Sequence, residues 1–355
     1  MLPGDSRNRR GKHGGKPPPT QAVERYAQKS SVSNVVGAVM SLSLGIHVGQ
    51  QNMAMADMRA LWRKLDNSGV DWISTWDHFY EAPPKGGTEP HFEALTTLGA
   101  LAAETQHARI GCLVFYVGYR NPALLAKAAT TLDHITGGRF ELGLGAGWHI
   151  WEATAYGYAF PDIGTRLDML EEAAQIIRSM LTEDRTSFSG KHFMADDASC
   201  LPKPVQDRLP IWIGGVGEKR TLKIVADYAD GWNAAYLSPE EFARVNEVLN
   251  HWCEDEHRDP NSLKRAANIM FNLSVDAKDL DRQRELLRED WGDNAERIAG
   301  GALLCTPDSA VERVMEYVLA GADEVNVALR APWNEEALDA YLTDIMPKIR
   351  IAAEG

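Results

Sequence analysis

Apolar residues recur along this chain in two rhythms, one of about two residues and one of about 3.6, and the rhythms take turns. Positions 41–48 (SLSLGIHV) alternate and predict a first strand. Over 53–68, Met55, Met58, Leu61, Trp62 and Leu65 share one helical face, and Gly69 closes the helix. A second strand over 70–76 ends in Asp77-His78-Phe79 and is followed by a loop rich in Pro and Gly over 82–90. A helix is expected over 92–104. The nearly continuous apolar run 108–117 (ARIGCLVFYV) then reads as a strand buried on both faces. Asn121-Pro122 opens the next helix and Gly137-Gly138 ends it.

The same alternation continues to the end of the chain. Strands are expected over 139–147, 209–215, 231–236, 268–275 and 323–329, and helices over 165–181, 218–229, 239–257, 307–319 and 334–349. Two stretches stand outside it. Residues 183–208 are polar, with a hairpin signal at Ser189-Gly190-Lys191 between Phe188 and Phe193. Residues 279–300 are highly charged and predict an inserted helix. Strands that alternate with helices form parallel sheets through right-handed crossovers. Eight such units predict an α/β fold, a (β/α)8 TIM barrel with insertions, in one domain over 41–350. In such a barrel the active groups stand at the C-terminal ends of the strands.

Composition narrows the class. The chain has 355 residues, 44% of them hydrophobic, and a formal charge of -13. That is enough for a large core, and it argues against nucleic acid or an anionic membrane surface as partner. No apolar run is long enough for a membrane span. Cys112, Cys200, Cys253 and Cys305 form no CxxC pair, so reduced thiols in a cytoplasmic protein are expected and a metal site is not. Residues 1–40 combine Arg7, Arg9, Arg10, Lys12 and Lys16 with Pro17-Pro18-Pro19, the composition of a disordered and dispensable arm. Arg9-Arg10 invites an export signal, but the apolar segment 32–40 is short, broken and too far downstream.

Four stretches at strand ends carry candidate chemistry. In Asp77-His78, the histidine can move a proton near neutral pH and the carboxylate can orient it; the alternative is a loop cap over a packed ring. Phe115, Tyr116 and Val117 suit the face of a planar heterocycle, or pack as ordinary barrel-top residues. The run from Gly137 to Glu152 passes a strand into Gly143, Gly145, Ala146 and Gly147, then into Trp148, His149, Trp151 and Glu152; it is a ligand-lined strand end or a tight turn without ligand. Gly214, Gly215, Val216 and Gly217 precede a helix that includes Thr221, where backbone N–H groups bind phosphate, with Lys219 and Arg220 adding charge; a glycine-rich loop without phosphate is the alternative. Trp62, Trp72, Trp212 and Trp252 read as core, and His251 and His257 as solvated. No hydrolase order of Ser, His and Asp appears, nor HExxH.

With TWDHFYEAP, RNPALLAKAATTLDHITGGRFELGLGAGWHIWEATAYGYAFP, LEEAAQIIRSML, LPIWIGGVGEKRTLKIVADYADGWN and EVNVAL together, the chain resembles the bacterial luciferase-like family, and most of all its F420-dependent oxidoreductases. The resemblance implies hydride transfer on a deazaflavin lying in the barrel mouth. Asp77 would contact the ring and His78 would transfer the proton. Phe115, Tyr116, Val117, Ala146, Gly147 and Trp148 would surround the ring, with a non-prolyl cis peptide near Tyr116–Val117. Gly214, Gly215, Val216, Gly217 and Thr221 would take the phosphate. Trp148 stands where relatives acting on sugars or alcohols carry Glu, which leaves Glu152 as the nearest carboxylate, speaks against sugar or simple alcohol oxidation and leaves room for a larger apolar substrate against Trp148 and Trp151. The resemblance also implies a small-molecule substrate and a homodimer. FMN with a separate reductase, in a two-component monooxygenase, and a cofactor-binding barrel without catalysis are the competing expectations.

Overall fold

The computed structural model describes residues 42–81 and 86–354. The expectation of a disordered arm over 1–40 falls outside them, as does part of the 82–90 loop. In chain order the elements are β1 (Ser43–Val48), α1 (Met55–Asn67), β2 (Trp72–Thr75), α2 (Ala94–Glu104), β3 (Arg109–Tyr116), α3 (Pro122–Thr136) and β4 (Phe140–Gly145). Then come α4 (Ile150–Ala155), α5 (Ile163–Thr182), the hairpin strands β5 (Thr186–Ser189) and β6 (Met194–Ala198), β7 (Ile211–Gly214), α6 (Thr221–Tyr228), β8 (Gly231–Ala235) and α7 (Pro239–Asp255). The chain continues with β9 (Lys264–Phe271), α8 (Ala277–Trp291), α9 (Ala295–Gly300), β10 (Ala302–Leu303), α10 (Pro307–Leu319), β11 (Glu324–Leu329), α11 (Glu335–Ala340) and α12 (Met346–Glu354).

The long strands pair in parallel in the order β9-β11-β1-β2-β3-β4-β7-β8, and β8 pairs back onto β9, so the sheet is a closed α/β barrel. Local chemistry accounts for the helix limits. Asn121 accepts from the amides of Ala123 and Leu124 ahead of Pro122, and Gly137 ends α3 at φ 66°. Ser238 and Glu241 close a capping box on α7. Met58, Leu61, Trp62 and Leu65 bury the inner stripe of α1 as the periodicity requires.

Of the three buried apolar clusters among the described residues, two follow from closure and the third lies under α8 and α9. The larger lies between the strands and the helices. The smaller fills the barrel, where Trp72 and Trp212 meet at 5.1 Å with Leu113 and Ala266. These tryptophans lie at the starts of β2 and β7, away from the strand ends that carry the candidate site.

Some boundaries differ from the sequence expectation. The seventh barrel strand begins at Lys264, not 268. Arg265 can sit at its start because its guanidinium donates to the carbonyls of Pro260 and Leu263 and to Asn246 and Asn250. The charged insertion is two helices, α8 and α9, and a π-helical turn at Tyr341–Ile345 interrupts the last helix. The non-prolyl cis peptide lies at Leu113–Val114, three residues before the expected place, where the β3–β4 register shifts between Cys112 and Phe115. That shift reverses the in–out alternation. Val114 therefore faces the glycines of β4 and β7, while Phe115 and Val117 are buried in the helix-facing core.

Candidate active site

The C-terminal ends of β2, β3, β4 and β7 come together at one end of the barrel, so Asp77, His78, Glu152 and the 214–217 loop share that end. Asp77 is buried. Its Oδ2 accepts from Arg120 Nη1 at 2.7 Å and from the Tyr116 amide at 3.1 Å, which ties the end of β2 to the end of β3. Burial pushes its carboxyl up, against the opposing pull of Arg120. Arg120 also pairs with Glu93 at 2.5 Å and lies over the Phe115 ring. The Oδ1 of Asp77 is buried and has no partner among the described residues.

Next along the chain, His78 places Nδ1 2.6 Å from Glu152 Oε1. Glu152 comes from α4, whose start folds it back over the 78–80 loop. Its Oε2 accepts from the amides of Phe79 (2.9 Å) and Tyr80 (3.3 Å), and its Oε1 from the Tyr119 hydroxyl (3.1 Å). Burial alone would raise this carboxyl. The hydrogen bond and charge of His78 and the Phe79 N–H outweigh burial and hold it below the ordinary range. His149 accepts from the Glu152 amide through Nδ1 at 3.3 Å, and its ring lies 5.7 Å from His78; burial lowers its pKa.

Trp148 meets the His78 ring edge-on at 5.3 Å and is 58% exposed, so an aromatic rim stands beside the histidine. Phe79, Tyr119, Tyr156 and Tyr158 continue the wall, with Phe79–Tyr156 at 4.4 Å and Tyr119–Tyr158 at 4.8 Å.

The floor beside them is open backbone. A Cβ on Gly145 would lie 2.4 Å from Val114 Cγ2, and one on Gly214 2.9 Å from Val114 Cγ1. Gly147, at φ 69°, packs against the Tyr116 ring, and Arg166 holds the carbonyls of Ala146 and Gly147. Gly215 takes φ 131°, Val216 and Gly217 are exposed, and Thr221 lies beneath them. Arg220 is spoken for by Asp168 at 2.8 Å, so its charge is not free for a ligand.

The geometry thus joins Asp77, His78, Trp148 and Glu152, and it sets Tyr116, Ala146, Gly147, Gly214, Gly215, Val216, Gly217 and Thr221 along the same mouth. It does not bring Phe115 or Val117 to it; Val114 takes the place they were expected to fill. Arg120 went unread in the sequence, although RNP just after an aromatic strand end was a signal for a buried counter-ion to Asp77.

A family model for luciferase-like monooxygenases matches residues 36–324. The chain belongs to the luciferase-like monooxygenase family. Within or near this family, an F420-dependent glucose-6-phosphate dehydrogenase of Nocardia farcinica is 25% identical over 88% of this chain and 99% of its own. An uncharacterized protein of Mycobacterium tuberculosis is 33% identical over 38% of this chain and 47% of its own. Among solved structures, an F420-dependent secondary alcohol dehydrogenase in complex with an F420-acetone adduct superposes with a TM-score of 0.78 at 19% identity, covering 87% of this chain and 99% of that one. A long-chain alkane monooxygenase superposes at 0.73 with 14% identity, covering 88% and 92%. These structures share the barrel. No helix among the described residues is long and apolar enough to cross a membrane.

Proposed function

We propose that this protein is an F420-dependent oxidoreductase that moves a hydride between the deazaflavin carbon C5 and an organic substrate, with His78 as the proton-transfer residue. The observation that carries the proposal is the 2.6 Å contact between His78 Nδ1 and a buried, ionised Glu152 at the mouth of the barrel. The mouth suits a flat ring with an anionic tail. Glycines at 145 and 214 leave backbone and Val114 as a floor. Among the described residues, the Oδ1 atoms of Asp77 and Asn233 are buried acceptors without partners, apt for ring N–H groups. The exposed 215–217 loop suits the phosphate.

When bound, F420 gives or takes a hydride at C5. The protein supplies the matching proton. An ionised Glu152 can only accept, so Nδ1 of His78 carries its hydrogen and Nε2 is left to exchange a proton with the substrate. The rings of Trp148 and His149 flank the His78 imidazole, at 5.3 and 5.7 Å. Trp148 also leaves His78 without a carboxylate at the position just after the glycines, so the proton passes through this histidine alone. A small-molecule substrate and a homodimer are part of the proposal; FMN with a separate reductase is the competing assignment.

Steady-state turnover of F420, followed with His78→Ala, tests the role of the histidine. The variant should bind F420 within about twofold of wild type and lose roughly a hundredfold or more in kcat, the size of a general acid–base contribution. Wild-type turnover by His78→Ala would remove His78 from the mechanism.

A further inference from the structure

The Glu152 carboxylate meets the His78 ring, the amides of Phe79 and Tyr80 and the Tyr119 hydroxyl at once. To meet them all, its backbone has to be held to within about 0.5 Å. Apolar burial ahead of it does not do this. Ile150 and Trp151, the two residues before Glu152 in α4, are 50% and 75% exposed. The Thr154 hydroxyl donates to the Ile150 carbonyl, but that bond leaves the Glu152 amide untouched. His149 takes that amide. It is buried just ahead of α4, where its Nδ1 accepts from the Glu152 N–H at 3.3 Å and its carbonyl from the Ala153 N–H. We propose that His149 is a positioning residue of this site: by capping α4 it places the Glu152 backbone, and through Glu152 it fixes the hydrogen of His78 on Nδ1. The proposal rests on the proton-transfer reading of His78 and Glu152 given above.

The arrangement gives the two imidazoles opposite hydrogens. The Glu152 carboxylate accepts, so His78 faces it with Nδ1–H. The Glu152 amide donates, so His149 faces it with a bare Nδ1 and keeps its hydrogen on Nε2. One residue thus dictates both rings, which lie 5.7 Å apart. A second hydrogen on His149 would set two donors face to face and undo the cap. The surroundings keep the ring uncharged. Burial and the neighbouring His78 work against protonation, and they outweigh Glu152 on its own helix and Glu81 in the segment after β2, which favour it. The cap is therefore whole at neutral pH, and it is lost as the pH falls through the depressed pKa of His149. Asn is an ordinary helix cap that cannot be switched in this way.

The test uses the full-length protein with its histidine ring nitrogens isotopically labelled, without F420 or substrate. Signals of the two rings are assigned by their loss in His78→Gln and His149→Asn. At neutral pH the ring shifts should place the hydrogen of His78 on Nδ1 and that of His149 on Nε2. His149→Ala should speed exchange of the Glu152 amide about tenfold, the worth of one helix cap, and move the His78 tautomer ratio toward Nε2–H by about the same factor. His149→Asn keeps a capping acceptor and should hold both readings within about twofold of wild type. Faster amide exchange with an unchanged His78 tautomer would make His149 a plain helix cap and overturn the inference. Loss of the Nδ1–H form in His149→Asn would overturn it as well. A wild-type His78 with its hydrogen on Nε2 would instead sink the proton-transfer reading, and this inference with it.

Discussion

Glu152 Oε1 lies 2.6 Å from His78 Nδ1, although 74 residues separate the two along the chain. The same carboxylate accepts the amides of Phe79 and Tyr80, so it positions both the imidazole and the backbone that carries it. Glu152→Gln keeps the shape and removes the charge that fixes the Nδ1–H form. Its kcat should fall by roughly tenfold to a hundredfold, within the range of acid–base catalysis, with F420 affinity nearly unchanged. Tyr119→Phe should cost about 1.5–3 kcal/mol of stability, one hydrogen bond to a charged group. Denaturant unfolding alongside turnover separates the two outcomes.

The floor gives a second prediction. A methyl group on Gly145 would press into Val114 Cγ2 at 2.4 Å. Gly145→Ala should therefore destabilise the protein by about 1–3 kcal/mol, the range for overpacking, and weaken F420 binding. Val114→Ala in the same chain should restore much of the stability. Strict additivity of the two changes in urea unfolding would show that they do not touch.

Arg120 and Asp77 form a buried pair at 2.7 Å, so the order in which they are removed matters. Arg120→Ala leaves a buried carboxylate without its cation and should cost about 3–5 kcal/mol. Adding Asp77→Asn should return part of that loss. A double variant less stable than Arg120→Ala would contradict the pairing.

Stability should also fall as the solution is acidified. Burial, with Arg330 and His78 nearby, lowers the His47 pKa to about 3, and burial lowers that of His91 to about 4. Above the ordinary value of 6.5 both rings are neutral in the folded and unfolded chain and contribute no slope. Below it the unfolded chain takes up protons that the folded one refuses, so each ring costs about 1.4 kcal/mol per pH unit through the interval down to its folded pKa. Urea midpoints between pH 6.5 and 5 should show this slope, and His47→Gln should remove about one proton's share of it. An unchanged slope in His47→Gln would mean that His47 is protonated in the fold.

The barrel was legible because strands covered on both faces read as apolar runs, and because caps such as Asn121-Pro122 and Ser238-Pro239 mark helix starts. The start of β9 was not, since Lys264 and Arg265 look like loop until the carbonyls that receive Arg265 are known. The parity of β3 was hidden for another reason. Nothing in Cys112-Leu113-Val114-Phe115 announces a register shift, so Phe115 was set at the mouth and Val114 passed over. Asp77, His78 and Glu152 could be singled out one by one. That Glu152 folds back onto His78 depends on the turn that leads into α4, and spacing does not encode that.

The central claim is that this mouth receives a deazaflavin. Titration of F420 and FMN side by side, each read by quenching of protein fluorescence, tests it most directly. F420 should bind at one site per chain and at least about tenfold more tightly than FMN, a difference of about 1.4 kcal/mol. Tighter binding of FMN, with oxygen consumption on reduced FMN and no turnover of reduced F420, would contradict the account.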